Sequence, residues 1–184
     1  MFKQIISVLM IFSCLITVAA CSPFVVWKEE VKLNDGRVIL VQQKKREEAR
    51  IDRESWLTID LPEFSQHPMV WHENLTPLIV NIYNGRLFVV GWPPTDIEKD
   101  QYGGQKPPYI GYVWEKGAFV RIPFEQIPEK IYDTNMLIDS FPPEGTSFVS
   151  IQLKSDLRRK FPYPLFYQRV DRTLGCLCQI PWSN

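Results

Sequence analysis

At 184 residues the chain suits one domain with a core of its own, with no need of metals or several disulfides to hold it together. Apolar residues make up 45% and charged residues 23%, and 21 basic side chains balance 21 acidic ones. That balance excludes the electrostatic footprint of a nucleic-acid-binding domain, or of one drawn by charge to an anionic membrane, and fifteen prolines argue against long helices.

The chain opens with one positive charge, Lys3, and then runs from Ile5 to Ala20 without any charge. This is the layout of a secretory signal. A helix of that length rises roughly 24 Å, short of the roughly 30 Å hydrocarbon core, and Pro23 discourages its extension. The run stops at "VAAC", Val18 to Cys21. An aliphatic residue, two small residues and a cysteine at the end of a short apolar segment resemble the lipobox of bacterial lipoproteins. The resemblance implies that Cys21 is modified on sulfur with diacylglycerol, becomes the first residue after cleavage, and is acylated on its new amine. Single acyl chains anchor only marginally, so three make a stable attachment. Ser22, in place of the aspartate that retains such proteins in the inner membrane, implies an outer-membrane address facing the periplasm. The expected organisation is a signal peptide at 1–20, a lipidated tether at 21–25 and one β-rich domain at 26–184. Losing Lys3 with the signal leaves that domain a net charge near −1.

The first hairpin is read in "WKEEVKLNDGRVILV". The Asn34-Asp35-Gly36 turn separates two strands, with Trp27, Val31 and Leu33 on an inner face and Lys28, Glu30 and Lys32 towards water. The longer segment "WKEEVKLNDGRVILVQQ" is also similar to the mature N-terminus of small proteobacterial lipoproteins, a likeness that carries no activity with it. Next comes "QQKKREEARIDRES", Gln42–Ser55, whose residues prefer helix and whose charges alternate in sign. It is either a protruding hairpin end or a short exposed helix. Ser55–Leu61 reads as a strand.

In "PLIVNIYNGRLFVVGW" the Asn84-Gly85 pair is a strong hairpin signal. Leu78, Val80 and Ile82 fall on one face with Ile79 and Tyr83 on the other, and the return strand sets Leu87 and Val89 opposite Phe88, Val90 and Trp92. A hairpin apolar on both faces belongs at the centre of a fold. The polar loop Pro93–Pro108 is long enough to be a recognition surface. A third hairpin joins Tyr109–Trp114 to Ala118–Ile122 through Lys116-Gly117. Beyond it, Pro128–Tyr132 reads as a helical turn starting at proline, Ser147–Leu153 as a strand, and Ser155–Lys160 as a turn capped by Ser155. Leu165–Val170 and Leu174–Ile180 form a last possible hairpin. Together these predict an all-β fold, an antiparallel sandwich or small open barrel built of hairpins, with one or two short helical turns.

Chemistry-bearing motifs are few. Cys176 and Cys178 sit two apart, about 6.5 Å between Cα atoms if extended and near the limit for a disulfide. Buried thiols, a local disulfide and a redox or metal role all remain open. His67 and His72 would complete four zinc ligands with them by count alone. Asp96–Gly103 fails as a calcium loop, since Gln101 and Pro107 stand where glycine and glutamate are needed. "FPYPLFYQR", Phe161–Arg169, is the best place for an aromatic binding patch. No residue is marked as catalytic, cofactor-binding or metal-binding. The reading is a lipid-anchored envelope protein, a non-catalytic binding or structural module for another envelope protein, with Cys21 as its one assigned site. The alternatives are a periplasmic hydrolase using dispersed carboxylates or His72, and a carrier of a small ligand or metal.

Overall fold

The computed structural model describes residues 24–48, 51–138, 141–160 and 168–174. Nine strands run in chain order: β1 (Phe24–Lys32), β2 (Val38–Glu48), β3 (Ile51–Ile59), β4 (Met69–Glu73), β5 (Thr76–Tyr83), β6 (Arg86–Trp92), β7 (Ile110–Glu115), β8 (Ala118–Ile122) and β9 (Phe148–Val149). Helix α1 (Asp96–Gln101) interrupts the loop between β6 and β7, 3₁₀ turns occupy Phe124–Gln126 and Glu129–Ile131, and α2 (Ile151–Lys160) follows β9. The strands form a five-stranded sheet, β4-β3-β2-β1-β9, and a four-stranded sheet, β5-β6-β7-β8. All pairings are antiparallel except β1 with β9. The fold is an all-β sandwich.

Period-two alternation builds the layer between the sheets. Val31, Val41, Leu57, Ile59, Met69 and Trp71 from the first sheet meet Val80, Leu87, Val89, Ile110 and Tyr112 from the second. The second sheet is covered on its other face as well. Phe88, Val90, Trp92, Tyr109 and Val113 pack beneath Phe124, Ile127, Ile131, Tyr132 and Val170. This is why the central hairpin reads as apolar on both faces. One residue departs from the expected alternation. Leu78 joins Ile79 in the outer cluster because the β5–β6 pairing slips between Pro77 and Ile79, and an irregularity of this kind re-aims a side chain. Pro77 is tolerated because β5 is an edge strand. Gly111 of β7 stands where a Cβ would lie 2.6 Å from Ile127 Cγ1, so only glycine lets the loop pack that closely on the sheet.

The hairpin turns follow their residues. Asn84 and Gly85, at φ 49° and 70°, form a turn with both central residues left-handed, as the strand twist favours. Of the two readings of Gln42–Ser55 the hairpin holds: it belongs to β2 and β3, because cross-strand pairing and a buried inner face outweigh local helix propensity. Several other expectations change. β1 begins at Phe24, inside the expected tether. Ser147–Leu153 is strand only at Phe148–Val149 and turns into α2 at Ile151. Ser150, not Ser155, caps that helix, its Oγ accepting from the Leu153 amide at 3.1 Å. Pro128 precedes its turn rather than opening it. The expected last hairpin lies largely outside the described residues, as do Cys176 and Cys178.

The loop Pro93–Pro108 is braced against the first sheet. Glu98 is buried and accepts from Arg53 at 2.6 Å, and Thr95 caps α1. Tyr102 donates its phenol proton to Glu73 at 2.7 Å and accepts from the Asn74 amide at 3.1 Å. Burial first, then Glu73, holds the Tyr102 phenol well above its ordinary value of 10, and Tyr112 is displaced the same way by burial and the Glu73 charge. A raised folded-state value means stability is fully present below pH 10 and is lost above it, where unfolded phenols ionise first. Urea midpoints measured from about pH 8 to about pH 11 are expected to fall in the upper half of that range. The Tyr102→Phe/Tyr112→Phe variant is expected to lose less over the same interval, and an unchanged slope would contradict the assignment.

Candidate functional site

A cleft of about 830 Å³ opens between the β1–β2 turn, the segment Asp133–Asn135 and the exposed side of α2. Its first wall is a turn closed by Leu33 N donating to Arg37 O at 2.8 Å and Gly36 N donating to Leu33 O at 3.0 Å, with Gly36 at φ 91°. Asn34 fastens that turn to the second sheet. Its amide donates to Asn81 Oδ1 at 3.0 Å, its Oδ1 accepts from Asn81 Nδ2 at 2.8 Å, and its Nδ2 donates to Lys130 O at 2.6 Å.

The second wall is pinned by Asn135, which bridges both sheets. Its Nδ2 donates to Lys32 O at 3.0 Å and to Val80 O at 2.7 Å, and its Oδ1 accepts from Val80 N at 3.0 Å. Thr134 donates from both N and Oγ1 to Gln168 O at 3.0 Å.

The third wall, α2, is set by one buried ion pair. Period-two alternation carries Glu29 onto the inner face of β1 between Trp27 and Val31, where it is fully buried. Its Oε1 accepts from Lys154 Nζ at 2.9 Å and from Leu137 N at 2.6 Å. Its Oε2 accepts from Gln43 Nε2 at 2.6 Å and Trp27 Nε1 at 3.3 Å. Lys154 also donates to Glu30 O and to Asn135 O, both at 2.5 Å, so its three protons are all engaged. Burial lowers the Lys154 pKa, and the Glu29 charge opposes that shift. Leu153 and Leu157 complete the seat by packing against Trp27, Leu137 and Val149.

The lining is cationic. Lys32, Lys154, Arg158 and Arg159 face a single carboxylate, Asp133, which Arg169 already holds. Arg158 donates through Nη2 to Thr134 O at 2.9 Å and to Thr134 Oγ1 at 3.3 Å. Its Nε and Nη1 bond to no described residue, so a half-buried guanidinium is held in place with donors to spare. Arg159 pairs with Asp156, while Lys32 is exposed. Such a cleft can attract a carboxylate or phosphate through the remaining Arg158 donors and Lys32.

No sequence motif marks this site. Lys154 and Arg158 have the i,i+4 spacing of one helical face, a pattern shared by any solvated helix, and Lys32 reads as a solvated strand residue. The one available signal is the inward parity of Glu29, a carboxylate between Trp27 and Val31. His67 is exposed, and its amide donates to Ser65 Oγ. His72 lies on the outer face of β4, stacked 4.4 Å from Trp56 and bonded to Glu54 at 2.8 Å. Neither histidine reaches the cleft. Of Phe161–Arg169, Gln168 lines the cleft and Arg169 holds Asp133; the remainder lies outside the described residues. So do Cys21, Cys176 and Cys178. Among the described residues no cluster of three or more metal-ligating side chains occurs.

Removing one member of a buried pair strands the other's charge. Lys154→Met is expected to cost about 3–5 kcal/mol in urea unfolding. Adding Glu29→Gln should recover part of that loss, because no bare carboxylate then remains inside; strict additivity of the two changes would contradict the coupling.

No family model, curated protein or solved structure matches the chain significantly, so its functional reading rests on its own residues.

Proposed function

We propose that this chain is a lipid-anchored protein of the cell envelope, attached through Cys21 to the outer membrane and facing the periplasm. Its domain acts as a non-catalytic module that binds an anionic stretch of another envelope protein. The cleft carries this reading: Lys32 and Arg158 line it with no carboxylate partner among the described residues, while its one acid, Asp133, is held by Arg169, in a chain whose net charge is zero. Segregated charge of this kind selects an acidic partner and steers its approach. The anchor rests on the "VAAC" segment at the end of an uncharged run. A hydrolase working through a carboxylate pair finds less support, since one carboxylate lines the cleft among the described residues and Arg169 holds it.

Two measurements test the proposal. The intact mass of the native protein is expected to give Cys21 as the first residue, carrying diacylglycerol and an amide-linked acyl chain. A retained Met1 or an unmodified Cys21 would refute the anchor. Crosslinking in intact cells and recovery through a C-terminal tag should then enrich one dominant envelope protein. Lys32→Glu/Arg159→Glu changes two exposed positions of the lining and is expected to abolish that enrichment, while Cys21→Ser should reduce it. Undiminished capture by the charge-reversed variant, or nothing enriched by the native protein, would overturn the binding role.

A further inference from the structure

The outer face of the five-stranded sheet carries no covering layer among the described residues, and its large exposed apolar side chains include Val26, Val38, Leu40, Val70 and Phe148. One end of this face differs from the rest. Lys44 lies between two rings, its Nζ 4.2 Å from the centroid of Phe24 and 4.5 Å from that of Trp56. The two rings meet edge to face at 5.6 Å. Arg46, directly across from Phe24 in the β1–β2 register, adds a second cation.

Phe24 is three residues from Cys21. Three residues span at most about 10 Å, so a lipidated Cys21 holds this end of β1 within reach of the headgroups whatever else the domain does. Aromatic rings backed by long basic side chains are the surface that a headgroup layer accommodates, ring below and cation at the phosphates. We infer that Phe24, Lys44, Arg46 and Trp56 form a foot that rests in the phospholipid headgroup layer and sets the domain upright on its anchor. This inference rests on the lipid attachment proposed above. It has a geometric consequence. The cleft lies at the other end of β1, beside Lys32, eight residue steps or about 26 Å away, so the foot presents the cleft to the periplasm rather than to the bilayer. Glu54 beside Arg46 and Glu47 and Glu48 beyond it offset the two cations. The contact is therefore driven by the rings rather than by net charge, and it holds on zwitterionic lipid in moderate salt.

The test uses the acylated protein in vesicles of phosphatidylethanolamine and phosphatidylcholine, the latter brominated near the top of its acyl chains. Bromine quenches only nearby indoles. The native protein is expected to lose emission up to the share of one tryptophan in six, and Trp56→Phe is expected to lose none. Lys44→Glu/Arg46→Glu, which keeps every tryptophan, should weaken the quenching. Absence of quenching in native protein whose acylation is confirmed by mass would overturn the foot and leave the anchor standing. An unacylated Cys21 in that mass spectrum would overturn both, because the tether length then constrains nothing. Equal quenching in Trp56→Phe would place a different tryptophan at the bilayer and refute the assignment.

Discussion

One buried ion pair organises the end of the molecule where ligand binding is proposed. Glu29 enters the sandwich from β1 and gathers four donors, from Trp27, Gln43, Leu137 and Lys154. Lys154 in turn reaches β1 and the Asn135 carbonyl. Strand, connecting segment and helix are thereby fixed to one carboxylate. A buried pair of this sort contributes little net stability, because desolvation of both charges offsets their attraction. What it supplies is placement: no apolar contact would define the rotation of α2 as sharply as an ammonium with three fixed acceptors. Arg158, one turn further along that helix, consequently meets Thr134 and borders the cleft.

The two sheets divide the remaining work. The four-stranded sheet is covered on both faces, by the other sheet and by the 3₁₀ turns, and forms the middle layer. The five-stranded sheet is covered on one face only among the described residues. Its outer face, which mixes charged and exposed apolar side chains, carries the aromatic cluster near Phe24, while its inner face turns polar towards the same end, where Gln43, Lys45 and Ser55 are buried. Asn135 and Asn34 stitch the sheets together at the opposite end. Amide side chains suit that task because each both donates and accepts, so the exposed backbone groups of two strands are satisfied by one residue.

The hairpins are legible in the residue order itself. Asn84-Gly85, Lys116-Gly117 and Asp35-Gly36 each sit between runs of alternating or continuous apolar residues, and each is a turn between paired strands. Where local signals conflict with pairing, pairing wins. Gln42–Ser55 has helix-favouring residues yet forms β2 and β3, since Val41, Gln43, Lys45, Ser55 and Leu57 share one buried face only when extended. Ile151–Leu153 departs in the opposite direction: β9 pairs with β1 only through Phe148 and Val149, after which Ser150 caps the start of α2. Leu78 changes face through a slip in register that no alternation rule anticipates. The cleft is hidden from the sequence for a related reason. Its cations come from positions 32, 154, 158 and 159. Neither charge balance nor local spacing reports that a strand end and a helix more than a hundred residues apart line one cleft.

By itself, the amino-acid order determined the β-character of the chain, its turns and the double-sided burial of its central hairpin. Those depend on side-chain period and on the backbone preferences of a few turn residues, both local. It also contains the "VAAC" segment on which the proposed anchor rests. Only the tertiary structure decided which polar residues became neighbours. Glu29 and Lys154 are separated by 125 positions, and no local rule selects one lysine over the others for burial. That choice emerges when the sheets close, water is excluded from the inner face of β1, and the carboxylate trapped there must find its cation.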